Sequence, residues 1–117
     1  MNSSSFTNCH LFTDSTLTSD DVYRSLEELK TYIDESHLHR NLMRCKKCGQ
    51  LYFHEFAEEI DWVGGNDPQE SIYAPVIDEA EGDRLNEMST SGLMSRPHFT
   101  IIFPADEEKL GRPKWST

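Results

Sequence analysis

The residues that could do chemistry are concentrated in Arg44-Cys45-Lys46-Lys47-Cys48-Gly49-Gln50, where two cysteines stand three positions apart and a glycine follows the second. Thiolates at this spacing share one tight loop, so both sulfurs and the loop amides converge on a single ion, as in a zinc knuckle. Gly49 fits that reading, because the chain must turn sharply after the second sulfur, often with positive φ. A knuckle supplies two of the four donors of a closed structural site. Cys9 is the preferred third donor: a soft thiolate suits zinc and would tie the N-terminal arm to the loop. The fourth comes from His10, His37, His39, His54 or His98, and our choice is His37, which lies with His39 just upstream of the segment entering the loop. A structural zinc site is therefore expected at Cys9, His37, Cys45 and Cys48.

A second group invites comparison with a catalytic motif. His54-Glu55-Phe56-Ala57-Glu58 differs by one residue from the H-E-x-x-H of zinc proteases, which need two imidazoles one helical turn apart. Here a carboxylate holds the second place, in an aromatic-rich stretch that reads as extended, and we expect no enzyme. A redox role for Cys45 and Cys48 fits poorly as well. A thioredoxin-like pair opens a helix after a strand, whereas Leu51-Tyr52-Phe53 continues as a strand.

Charge narrows the partner. The formal net charge is −10, and the stretch from His54 to Glu87 holds eleven acids against one base, Arg84, while the remainder balances. Such a segment repels phosphate and attracts cationic protein surface, which argues against nucleic acid and for a basic protein. The expected contacts are Glu55, Glu58, Glu59, Asp61, Trp62 and Asp67, with Trp62 as the aromatic anchor. Three cysteines, an odd number, and an N-terminus without a secretory pattern point to a cytoplasmic, reducing compartment. Apolar runs such as Ile101-Ile102-Phe103 are too short for a bilayer.

These groups need elements to position them. Leu42-Met43-Arg44 and Leu51-Tyr52-Phe53 are suited to be the arms of a hairpin carrying the knuckle at its tip. Thr18 or Ser19 can cap a helix whose apolar stripe, Val22, Leu26, Leu29 and Ile33, runs on toward Glu35. Gln50–Trp62 fits two periods, a strand with Tyr52, His54, Phe56, Ile60 and Trp62 on one face or a helix with Phe53, Phe56, Ala57, Ile60 and Val63 as its stripe. The strand is preferred for the first half, and residues 64–68 form a turn. Ser71–Ile77 is a strand that Pro75 forces to an edge or an end. Asp78–Met88 suggests a short, solvated helix, Ser89–Pro97 a loop and His98–Phe103 a strand, and Trp115 pins the last segment. Residues 1–17 read as a tethered arm or edge strand, frayed over the first eight. The expectation is one α+β domain over residues 1–117: a small antiparallel sheet that includes the zinc-knuckle hairpin, with one main helix packed on a face.

The block Cys45-Lys46-Lys47-Cys48-Gly49-Gln50-Leu51-Tyr52-Phe53, with Glu58-Glu59-Ile60-Asp61-Trp62 and Gly65-Asn66-Asp67-Pro68-Gln69, resembles small acidic bacterial C-x-x-C-G proteins of zinc-ribbon-like type. Some small acidic proteins of this kind are immunity proteins of contact-dependent growth inhibition and related toxin systems. The resemblance implies a non-enzymatic inhibitor that neutralises a basic, nuclease-type toxin. The alternative is a zinc-ribbon adaptor that contacts a host complex through Arg44, Lys46 and Lys47.

Overall fold

The computed structural model describes residues 8–14, 16–58, 69–103 and 114–116; the side chains of Ser19, Glu58, Ile102 and Phe103 lie outside that description. Six strands pair in chain order as an antiparallel meander: β1 (Leu26–Glu35), β2 (Leu38–Cys45), β3 (Leu51–Glu58), β4 (Gln69–Val76), β5 (His98–Phe103) and β6 (Lys114–Ser116). Two short helices, α1 (His10–Thr13) and α2 (Ser19–Ser25), precede the sheet, and α3 (Glu79–Leu85) and α4 (Thr90–Met94) lie between β4 and β5.

Strand alternation sends side chains to both faces, and each face has its own core. On the first, Leu26, Cys45, Tyr52, Tyr73, Phe99 and Ile101 pack with Cys9, Leu11, Leu17 and Val22 of the N-terminal segment. On the second, Leu42, Phe53, Ala74 and Val76 meet Leu85 of α3 and Leu93 of α4. The chain is thus a helix–sheet–helix sandwich built on short helices. Trp115 joins its ends: its indole N–H donates to the Leu11 carbonyl at 2.8 Å, and its ring packs on Phe12 and Phe99.

The expected main helix is not formed. Thr18 and Asp21 make a reciprocal capping box that starts α2, but the helix stops after seven residues. The Ser25 carbonyl accepts the Lys46 N–H at 2.8 Å, and Leu26 pairs with Cys45 as the start of β1. Two register shifts follow, between Glu28 and Lys30 and between Thr31 and Ile33, leaving Leu29 and Tyr32 as the extra residues. Each bulge inserts one residue into the alternation, so the apolar spacing drifts from two toward three and imitates a helix. Leu29, a supposed core residue of that helix, is 46% exposed.

Other segments differ less. The N-terminal arm carries α1 rather than an edge strand, with Cys9 and Leu11 buried. Pro75 falls next to the end of β4, beyond Tyr73, where pairing with β5 stops. Ser89 caps α4 by accepting the Gly92 N–H, which makes a helix of part of the expected loop. Asp78 caps α3, and Glu81 accepts the Ile77 N–H in return. The turn expected at residues 64–68 lies outside the described residues.

Candidate metal centre

The β2–β3 hairpin presents Cys45 and Cys48 at its tip. Cys45 ends β2; its N–H donates to the Gln50 carbonyl at 2.9 Å, and its carbonyl accepts the Gly49 N–H at 2.8 Å. That closure requires Gly49 at φ 84°, a left-handed conformation in which a Cβ would be strained. The loop amides turn inward as a result. Burial raises the pKa of the Cys45 thiol, but the Cys48 and Lys47 N–H groups and the Cys48 and Cys9 thiols all favour its thiolate, and the net pKa falls below the ordinary value.

The N-terminal arm brings two more donors. Cys9 is 1% exposed, and burial pushes its pKa up to about 12, so on its own it is a neutral thiol. The Tyr52 hydroxyl bears on this sulfur and favours its ionised form. That hydroxyl is fully buried, and Cys9 is the group it faces. His10 opens α1 with Nδ1 at 3.7 Å from the Cys45 sulfur and Nε2 at 3.0 Å from Ser25 Oγ. Burial, followed by the charge of Lys47, lowers its pKa and keeps the imidazole neutral at physiological pH.

The ligand atoms of Cys9, His10 and Cys45 all lie within 4.8 Å of one another. Cys48 is exposed and its thiol interacts with both Cys9 and Cys45. Ligand atoms around tetrahedral zinc are about 3.5–3.8 Å apart, and the 3.7 Å His10–Cys45 approach matches that spacing. A Cys-His-Cys group with a third thiol beside it could hold a metal ion. A Tyr52 hydroxyl that favours ionised Cys9, an imidazole whose pKa is lowered and a Cys45 thiol stabilised as thiolate all suit a cation that takes sulfur and nitrogen donors.

His37 is placed elsewhere. It stands exposed in the β1–β2 turn, at the opposite end of β2 from Cys45, and the seven strand steps from Leu38 to Cys45 span about 23 Å. His39 also lies at that end, 3.0 Å from Asp34. His98 is buried on β5, with Nδ1 at 2.8 Å from the Arg96 carbonyl.

The H-E-x-x-E segment forms β3, which sends successive side chains to opposite faces. His54 stacks on Tyr73 between Asn41 Oδ1 at 2.9 Å and Ser71 Oγ at 3.1 Å, and burial lowers its pKa to about 4. Glu55 points the other way. It is 1% exposed, paired with Arg40 at 2.8 Å, and accepts the Thr90 hydroxyl at 2.8 Å, so it cannot serve as the surface contact expected of it. The Glu58 side chain and Glu59, Asp61, Trp62 and Asp67 lie outside the described residues.

The sequence offers His10 among five candidate histidines, but the ligand expected from it is His37, just upstream of the first hairpin arm. Ser25 and Tyr52, which contact the donors, carry no local signal. No helix among the described residues is long and apolar enough to cross a membrane. Set against known proteins, the chain matches no family model, no curated protein and no solved structure.

Proposed function

We propose that this chain is a non-enzymatic binding module held together by structural zinc, whose acidic surface takes a cationic protein in the manner of an immunity protein capping a basic nuclease-type toxin. The observation that carries the reading is the convergence of Cys9, His10 and Cys45 beside Cys48. Those four side chains would hold the ion and fasten α1 to the hairpin tip. Closing such a site contributes on the order of 10 kcal/mol of apparent folding free energy, a decisive amount for a chain of 117 residues.

The partner follows from charge. Exposed acids on α3 and its flanks, Asp78, Glu79, Asp83 and Glu87, belong to the same acidic stretch as Glu58, Glu59 and Asp61. A field of this sign speeds capture of a basic surface and mimics the phosphates that surface binds. Because Glu55 is buried, the contacts of this reading are Glu58, Glu59, Asp61, Trp62 and Asp67. Replacing Glu58, Glu59 and Asp61 together by lysine should abolish binding to the cognate basic protein at low salt, read by titration calorimetry; unchanged affinity refutes the inhibitor reading. The adaptor reading draws on one observation, that Lys46 and Lys47 stand exposed at the tip beside Cys48. In that case Lys46→Glu with Lys47→Glu is the damaging change.

A further inference from the structure

We infer that His10 ligates through Nδ1 and that Ser25 is the positioning residue that makes it do so. The inference rests on the zinc reading above and specifies how its one nitrogen donor is prepared.

A serine hydroxyl has one proton to give. Ser25 Oγ donates it to the Asp21 carbonyl at 2.8 Å, one helical turn back in α2. Facing His10 Nε2 at 3.0 Å, the same oxygen can only accept. Nε2 therefore carries the imidazole proton, and Nδ1 is left with its lone pair, 3.7 Å from the Cys45 sulfur and within the ligand group. The opposite tautomer would set the Nε2 lone pair against the Ser25 oxygen with no proton between them. Metal-binding histidines commonly give their second N–H to such a partner, which fixes both tautomer and ring orientation.

Ser25 is itself fixed from the other side. Its carbonyl accepts the Lys46 N–H at 2.8 Å, inside the loop that carries the two thiols. One residue thus aligns the imidazole of the arm with the sulfurs of the hairpin. It also sits where α2 gives way to β1, so no further helical turn claims its carbonyl, which is left to the Lys46 N–H.

Long-range proton–nitrogen correlation on zinc-loaded, nitrogen-15-labelled protein reads the tautomer directly. The expected pattern is Nε2–H with Nδ1 shifted by metal; a His10 that is protonated on Nδ1, or shows no metal shift, overturns the inference. In chelator competition, Ser25→Ala should weaken zinc binding by about 10- to 100-fold, while Ser25→Thr, which keeps the hydroxyl, stays within a few-fold of the native protein. Equal affinity for Ser25→Ala overturns the positioning role. Elemental analysis of the labelled sample separates the two levels: zinc present with the wrong tautomer sinks only this inference, and zinc absent sinks the metal reading with it. Should Ser25→Ala not fold, the native protein's tautomer still decides.

Discussion

His10 Nδ1 lies 3.7 Å from the Cys45 sulfur, although 35 positions separate the two residues. The contact brings the N-terminal arm to the candidate site, whereas His37 stands in the β1–β2 turn at the far end of β2. His10→Ala is expected to weaken zinc binding by at least about tenfold, and His37→Ala to leave it unchanged, in competition with a chromogenic chelator.

Removing the ion should loosen the arm from the sheet. With free zinc about a thousandfold above its dissociation constant, binding adds about 4 kcal/mol to stability. Treatment with a strong chelator should lower the urea midpoint accordingly, and the Trp115 fluorescence should change with it, since that indole is bonded to the Leu11 carbonyl.

The Arg40–Glu55 pair predicts a different failure. Arg40 also donates to the Asn86 and Met88 carbonyls, at 2.8 and 2.9 Å, so it anchors the connector between α3 and α4. Arg40→Met strands a buried carboxylate and should cost about 3–5 kcal/mol in urea unfolding, whereas Arg40→Met with Glu55→Leu should recover much of that loss.

Acid sensitivity follows from His54. Its folded pKa, about 4, lies below the unfolded value, so between roughly pH 6.5 and 4 the unfolded chain binds a proton that the native state refuses. Stability must fall as pH falls through that window, by about 3 kcal/mol from this group. The lowered pKa values of Glu28, favoured by the Asn41 and Thr31 hydrogen bonds, and Asp83, favoured by Lys30 and Tyr32, act in the same direction at lower pH. Urea unfolding across pH 4–7 should show this slope, and His54→Gln should flatten it.

Gly82 offers a test of packing against propensity. Alanine normally improves a helix by about 1 kcal/mol over glycine. Here an added Cβ would meet Tyr32 Oη at 2.9 Å and Leu42 Cδ1 at 3.0 Å. Because Tyr32 is held by its bond to Asp83 at 2.8 Å, Gly82→Ala should destabilise by about 1–3 kcal/mol in thermal unfolding.

The hairpin was legible because its signals are local: a C-x-x-C-G turn between two runs of β-forming residues. β5 and α3 were legible for the same reason. β1 was not, since two bulges put a strand on a near-helical spacing, and the capping box at Thr18 marks a true helix start without saying where the helix ends. The histidine ligand depends on which end of β2 a residue occupies. A place just upstream of the first hairpin arm favoured His37, but the β1–β2 turn holds it at the far end of β2, while α1 brings His10 in against Cys45.

Metal content of the native chain, measured by elemental analysis on protein purified without chelator, tests the account most directly. The account predicts one zinc per chain, lost when Cys9 and Cys45 are both replaced by serine. A metal-free protein that unfolds cooperatively, with a midpoint indifferent to chelator and to that double replacement, would contradict it.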